Sequence, residues 1–520
     1  MGTQAGQDMR SSPLRIVIVG GGTAGWMSAA GLVRLLASAD YDLTLIESDE
    51  IGTVGVGEAT LPHIKTFNDM LGINEAEFMR DTQATFKLGI EFVGWDRPGD
   101  AYIHPFGTFG EPWVGLDFQH HWARAMLAGE DVGPLHDYSY AIRAAEENAF
   151  EFPNEDTKSI RSTYAYAYHF DAGLYANFLR GWAMARGVSR IEGQIVDVGR
   201  NAGNGHVETV TLKSGTVIAG DLFIDCSGFR SLLLGQTLGV AWQDWSEWLP
   251  CDRALAVPCA RTEPLLPYTR ATAQPGGWIW RIGLQHRTGN GHVFASAFCS
   301  EDQARETLLG QLDGAALAEP RLLRFQAGRR AKAWEGNVVG IGLAGGFLEP
   351  LESTSIFLIQ AAVTDLANLM PTRGGIDRRL ADEYNRLFEV HYDRTRDFIV
   401  LHYCANRREG EPLWDHVRNM RLPDSLAHKI ALFEANAAAP DYKYGLFSRD
   451  SWLAVLVGQG VTPRGYNHLA DSLTLDELGS KLRDLKRRIR TNAAAMTGHA
   501  DFIANYCPAP TAAKPMESAA

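Results

Sequence analysis

Apolar residues concentrate first at LRIVIVG (14–20), a β-branched run that predicts a buried strand. Helix-like spacing follows from Thr23 to about Ala37, and DLTLIES (42–48) predicts a second strand. Strand, helix and strand in that order mark the opening of a parallel sheet. From Phe86 to Phe92 the chain alternates strictly: Phe86, Leu88, Ile90 and Phe92 share one face, Lys87 and Glu91 the other. One strand is predicted over Lys87–Trp95, with others at Thr216–Ile224, Trp278–Leu284, His292–Phe298 and Asn337–Ile341. Strand signals fade beyond about residue 376. Leu475, Leu478, Leu482, Leu485 and Ile489 recur every three or four positions and predict one apolar helix face. The basic run 486–490 reads as its solvated side.

Composition narrows the class without naming a reaction. The 520 residues are 45% hydrophobic and 21% charged, which excludes disordered and fibrous chains. Forty-nine Lys and Arg against 62 Asp and Glu leave a net charge of −13, unsuited to nucleic acid or an anionic membrane surface. The six cysteines (226, 251, 259, 299, 404, 507) show no CxxC pair and no metal-ligand spacing. Cys226 and Cys299 lie in apolar runs and read as core. Reduced thiols and a cytoplasmic location are expected. No apolar run reaches the ~18 residues of a membrane span. Residues 1–13 and 508–520 read as flexible ends.

Gly20-Gly21-Gly22-Thr23-Ala24-Gly25 fits G-x-G-x-x-G between a strand and a helix, the context that gives the motif meaning. Gly20 permits the tight turn, Gly22 lets backbone approach a pyrophosphate, and Gly25 lets helix pack on strand. The phosphates would meet unpaired N–H groups at the helix start, at Thr23 and Ala24. Glu47 closes the second strand, where a carboxylate meets the ribose hydroxyls. A second match, 340–345, leads into Phe347-Leu348-Glu349-Pro350 and has no ribose acid, so it is read as a loop beside a flavin. With Asp225-Cys226-Ser227-Gly228, one dinucleotide site implies FAD and leaves none for NAD(P)H.

Two polar groups stand out. Lys87 is either a solvent-facing side chain or an amine held on a rigid strand and aimed into a cavity. In Glu349-Pro350-Leu351-Glu352-Ser353-Thr354-Ser355, just before the apolar stretch Ile356–Met370, the hydroxyls suit a helix cap and the acids its dipole. The alternative makes Glu352 a catalytic carboxylate, with the Thr354 and Ser355 N–H groups offering a halide site. Trp278 and Trp280 share a strand face and either pack a core or wall a tunnel.

Together GGGTAGW (20–26), GVGEAT (55–60), FKLGIEFVGW (86–95), WIWRIG (278–283) and GFLEPLEST (346–354) resemble the flavin-dependent halogenases of the tryptophan halogenase family, over roughly 14–505. Gly283 stands where that family's WxWxIP signature has proline. The resemblance implies an α/β fold: a Rossmann-like FAD box of the glutathione-reductase type (mainly 14–375, with substrate-pocket segments inserted near 96–150) and a mostly helical pyramid (376–507). Reduced FAD from a separate NAD(P)H-dependent flavin reductase would react with O2 to a C4a-hydroperoxide. Chloride or bromide would then become hypohalous acid and reach Lys87, which donates a hydrogen bond or forms a haloamine. Glu352 would assist the attack of the aromatic carbon by taking its proton.

The resemblance also implies that Gly57, Glu58, Ala59, Val196, Leu343 and Ile356 lie along FAD. Thr354 and Ser355 would hold the halide, although glycine commonly stands at the latter position. His104 and Phe106 would sandwich an indole, and Trp452-Leu453 would replace the Tyr-Tyr pair that helps grip tryptophan's amino-acid end, with Gln459 near the place of the following Glu. An indole without that arm, or a larger aromatic, is therefore expected as substrate. A homodimer is compatible with this reading. The competing readings are a flavin monooxygenase using the same hydroperoxide and a non-enzymatic FAD-binding scaffold. Retention of both Lys87 and Glu352 opposes the scaffold.

Overall fold

β1 (Leu14–Val19) pairs in parallel with β2 (Tyr41–Glu47) on one side and with Leu222–Asp225 on the other, and α1 (Thr23–Leu35) crosses between β1 and β2. The computed structural model describes residues 13–37, 40–50, 57–372, 375–439, 441–442 and 444–510. Most of the two expected flexible ends therefore lies outside it, as do Gly55 and Val56 of the GVGEAT motif, and Gly57 and Glu58 are described as backbone alone. Val338–Gly340 and Ser189–Glu192 extend the first sheet in parallel, and Trp334–Glu335 closes one edge antiparallel, giving six strands.

Gly20 makes the turn out of β1 with φ +112°, and a Cβ there would lie 2.3 Å from the Cys226 carbonyl oxygen. Only glycine fits both constraints. A Cβ at Gly25 would lie 1.8 Å from the Gly20 carbonyl oxygen, so α1 sits on the turn as closely as expected.

The predicted strand from Lys87 to Trp95 is two strands. β4 (Thr85–Lys87) pairs with β7 (Ala167–Asp171), which also pairs with β3 (Gly57–Ala59). β5 (Gly89–Val93) belongs to a seven-stranded sheet beside β6 (Ala101–Pro105) and Thr269–Gln274. The chain changes sheets at Leu88, whose N–H donates to the Pro267 carbonyl (2.7 Å) and whose carbonyl accepts from Phe106 (2.7 Å). Lys87 thus stands at a corner between two sheets.

Two other predicted strands are also corrected. Thr216–Ile224 breaks at Gly220, where a Cβ would press on Phe223 and Val17, into Val217–Ala219 and Leu222–Asp225 in different sheets. The strand expected at 292–298 spans Arg287–Phe294 and gives way to a helix at Glu301–Gly310 capped by Ser300 and Gln303. Cys299, at that turn, is half-buried rather than core, whereas Cys226 is buried; all six cysteines are free thiols.

From 378 to 506 the described residues form six α-helices, including Arg378–Cys404, Arg449–Gly458 and Leu475–Ala493. In the last, Leu478, Leu482, Leu485 and Ile489 are buried. One apolar core contains both Ile16 of β1 and Phe398 of the Arg378–Cys404 helix. Among the described residues no helix is long and apolar enough to cross a membrane.

Gly25→Val tests the contact between α1 and the turn. It is expected to destabilise the fold by about 1–3 kcal/mol and to abolish FAD retention on a desalting column. A flavin-loaded variant with unchanged Tm would contradict the close packing.

Candidate active site

The glycine turn opens on a cavity of about 840 Å³ lined by Gly20, Gly22, Thr23, Ala24 and Glu47, and also by Leu343, Ile356, Glu352 and Ser353. A Cβ at Gly22 would meet nothing within 4 Å, so this backbone faces open space. The features fit FAD: a bare backbone turn at a helix start, a carboxylate closing the second strand, and a cavity of about 840 Å³ beside them. Glu47 accepts hydrogen bonds from Arg190 Nε (2.5 Å) and Trp26 Nε1 (3.2 Å), which fix its orientation. Ala59 also lines the cavity.

Val196 does not line it: its neighbour Ile195 does, and Val196 is 59% exposed. Alternation along Ile195–Arg200 turns it to the opposite face. The second glycine loop forms a short 3-10 turn at Gly342–Ala344, and Gly342 and Leu343 line this same cavity rather than a site of their own. Trp278 and Trp280, ring centroids 6.2 Å apart, both wall it.

Lys87 does not line this cavity and is fully buried beside it. Its Nζ donates to the Thr60 carbonyl (3.0 Å) and the Ser353 hydroxyl (3.0 Å) and lies 5.1 Å from the Phe106 ring centre. The solvent-facing alternative is thereby overturned. Burial pulls Lys87 down to about 7, against an opposing upward pull from Glu352.

Glu352 is also buried, in a backbone turn of left-handed residues: Glu352 at φ +63° and Ser353 at φ +60°. Such geometry outside glycine costs about 1–3 kcal/mol per residue and persists where surrounding contacts enforce it. Ser353 occupies the N-cap position of the Thr354–Asn368 helix, but its side chain makes no capping bond and accepts from Lys87 instead. The capping explanation therefore fails for this hydroxyl.

The Glu352 carboxylate meets two histidines. His104 Nδ1 lies 2.7 Å from Oε2 and 2.9 Å from Oε1, and His402 Nε2 lies 2.9 Å from Oε1. Burial alone would raise this carboxyl, but His104 and then His402 outweigh it and hold Glu352 at about 2. Glu349, three residues earlier in the same loop, has the opposite fate. Burial pushes it up to about 8 despite Tyr403, whose hydroxyl donates at 2.8 Å, and Trp278. One acid is thus kept ionised and its neighbour protonated at neutral pH, a separation set by environment alone.

Ser355 lines the cavity near Ser353, while Thr354 is buried beside it at the helix start. His104 packs edge-on to Phe106 (centroids 6.2 Å) and Phe398 (5.5 Å). Trp452 is one layer further out, edge-on to Phe398 (5.0 Å), which stacks on Phe447 (3.7 Å). The residues missed from sequence are His402, Phe398 and Phe447. His402 stands four residues after Phe398 on a helix, a spacing that signals a shared face and nothing about chemistry. Gln459 does not face this aromatic space: its Nε2 donates to the His402 carbonyl (2.7 Å).

Comparison with known proteins agrees with this construction. A family model for tryptophan halogenase matches residues 15–474. The tryptophan 6-halogenase SttH of Streptomyces toxytricini is 36% identical over 505 residues, covering 92% of this chain and 95% of that protein. Among solved structures, Xcc4156, a flavin-dependent halogenase from Xanthomonas campestris, superposes with TM-score 0.92 at 45% identity, covering 96% of this chain and 100% of that one. BrvH, a flavin-dependent halogenase from Brevundimonas sp. BAL3, gives 0.91 at 42%, covering 95% and 99%. The fold and site define a flavin-dependent halogenase, an enzyme that uses FADH2 and a halide. The chain belongs to the tryptophan halogenase family.

The buried lysine carries a pH signature. The unfolded chain holds the Lys87 proton up to its ordinary value of 10.5, the folded chain only to about 7. Unfolding therefore takes up a proton between these values, and burial of this amine costs stability fully below pH 7 and progressively less as pH rises. Lys87→Met is expected to raise Tm relative to the parent more at pH 6 than at pH 9. A difference that does not change with pH would contradict a depressed amine.

Proposed function

We propose that this enzyme halogenates an indole-type or other electron-rich aromatic that lacks the amino-acid arm of tryptophan, with Lys87 presenting the electrophilic halogen and Glu352 receiving the ring proton. One observation carries the reading: Lys87 and Glu352, 265 positions apart in sequence, are brought together by Ser353, which accepts from Lys87 and with Glu352 lines the cavity that begins at the glycine turn. When bound in reduced form, FAD supplies with O2 the oxidising equivalent that makes the halide electrophilic.

Gly20, Gly22, Thr23, Ala24 and Glu47 would hold its pyrophosphate and ribose, and Ala59, Leu343 and Ile356 would line its path. The N–H groups of Thr354 and Ser355 would bind the halide. Lys87, fixed by Thr60, polarises the halogen by hydrogen bonding or carries it as a haloamine, the latter requiring the neutral amine that burial favours. Glu352, ionised, stabilises the positive ring and accepts its proton. Exclusion of water keeps the halogen from being lost. Residues 14–375 would form the flavin box and 376–507 the cover over the substrate, with His104, Phe106 and Trp452 as aromatic walls.

The substrate assignment rests on the positions expected to grip the amino-acid end. They hold Trp452 and Leu453, both buried, and Gln459, which is engaged by His402. We place the enzyme in the cytoplasm, supplied by a separate NAD(P)H-dependent flavin reductase. The six free thiols support the location.

With reductase, O2 and bromide, mass spectrometry should show indole gaining bromine, with kcat/KM above that for free L-tryptophan. Gain of oxygen alone would establish a monooxygenase instead. Lys87→Ala should still oxidise FADH2 and lose at least about 100-fold of halogenated product, the scale of a positioned proton donor. Undiminished yield would refute its role. Glu352→Gln should keep FAD and fall by a similar factor; if only its Tm falls, Glu352 is structural.

A further inference from the structure

We infer that Arg230 and Arg324 form a capture site that draws the phosphates of FAD into the cavity against the negative charge of the chain. This rests on the reading above that the cavity beside the glycine turn takes FAD.

The need arises from charge. The chain carries −13 and FAD brings two negatively charged phosphates, so the approach is repelled overall unless the cavity itself presents positive charge. The charged residues lining it are Glu47, Asp49, Arg180, Arg230, Arg324 and Glu352. Four of these are already paired. Glu47 and Asp49 meet Arg190 (2.5 and 2.9 Å), Arg180 lies 3.6 Å from Glu47, and Glu352 meets its two histidines. The side chains of Arg230 and Arg324 are exposed and have no ion pair or hydrogen bond among the described residues. They are the cavity's uncompensated charges, and both are positive.

The backbone that carries them is held firmly. Asp225 is buried and accepts from the Ser227 N–H (3.0 Å) and hydroxyl (2.6 Å) and from the N–H groups of Leu233 (2.8 Å) and Leu234 (2.9 Å), clasping the turn between them. Within that turn Gly228 has φ +70° and the buried Ser231 has φ +42°. A non-glycine residue keeps such a conformation where its surroundings enforce it. Here the Ser231 hydroxyl donates to the Ala344 carbonyl (3.1 Å) in the second glycine loop. Phe229 and Arg230 are thereby left at the exposed apex, with Phe229 lining the cavity as well. The same turn begins against the first glycine turn, since the Cys226 carbonyl is what a Cβ at Gly20 would strike.

Arg324 comes from 94 positions later, at the end of the Arg321–Arg324 strand. Three rings join the two segments: Phe229 packs edge-on to Phe347 (centroids 5.3 Å), and Phe347 edge-on to Phe325 (5.1 Å). All three rings line the cavity. Two guanidinium groups without partners thus stand on fixed backbone beside one cavity, and the guanidinium fork suits phosphate oxygens.

The test follows FAD association with the full chain by stopped flow, read as quenching of tryptophan fluorescence, since Trp278 and Trp280 wall the cavity. At low ionic strength the double variant Arg230→Gln/Arg324→Gln should associate at least about tenfold more slowly than the parent, the lower scale of electrostatic steering. The gap should close in 0.5 M NaCl, where screening acts beyond about 4 Å. Arg230→Lys/Arg324→Lys, which keeps both charges, should associate nearly as fast as the parent. Association of the Gln variant at the parent rate overturns the inference. So does a deficit that high salt leaves unchanged, or a Lys variant as slow as the Gln variant, because either marks shape and not charge. Should the double variant fail to fold, the two single Gln variants carry the same test, each expected to lose part of the rate. A folded Gly25→Val chain that takes up FAD at the parent rate would instead refute the cavity as the flavin site, whatever the arginines do.

Discussion

A carboxylate taken out of water and kept ionised is the constraint on which the rest of the site depends. Glu352 has no solvent to stabilise it, so partners must come from elsewhere in the chain: His104 from β6 and His402 from the Arg378–Cys404 helix. Their convergence joins the seven-stranded sheet to the helical part of the chain. It also explains a turn in which Glu352 and Ser353 both take left-handed backbone. That turn redirects the Ser353 hydroxyl away from capping its helix and toward Lys87. Strain, burial and an unusual cap thus share one cause, the placement of an acid and an amine within one dry pocket.

The contrast between Glu349 and Glu352 shows how little of this belongs to residue type. Both are buried glutamates in one loop. The first receives one phenolic hydroxyl and is driven toward its neutral form; the second meets two imidazoles and stays charged. Lys87 is depressed by the same loss of water and only partly restored by Glu352. At neutral pH the site therefore holds an amine near its midpoint beside an ionised carboxylate, the pairing that the proposed transfer of halogen and acceptance of a proton require.

Much of this was legible in the chain because the signals are local. The glycine turn, its strand and helix, and Glu47 lie within 34 residues and obey backbone rules that any sequence must follow. The alternation around Lys87 placed it opposite an apolar face, but not in a cavity: solvent or interior on that face depends on Thr60 and Ser353, which are distant in sequence. Alternation also ran on through Leu88, hiding the change of sheet, since hydrophobic pattern reports faces and not which strand is alongside. Val196 was misplaced by a single step of that same alternation. His402 was invisible because a lone histidine on an apolar helix face carries no partner in its own sequence. Its meaning arises only where the helix meets the Glu352 turn.

The central claim, that Lys87 and Glu352 act as one unit, is tested most directly by a double-mutant cycle on halogenation kcat/KM, with Lys87→Ala, Glu352→Gln and the double variant. Residues that act together are strongly non-additive. The account predicts that the double variant is little worse than the poorer single variant. Losses that multiply across the two substitutions would show two independent residues and contradict it.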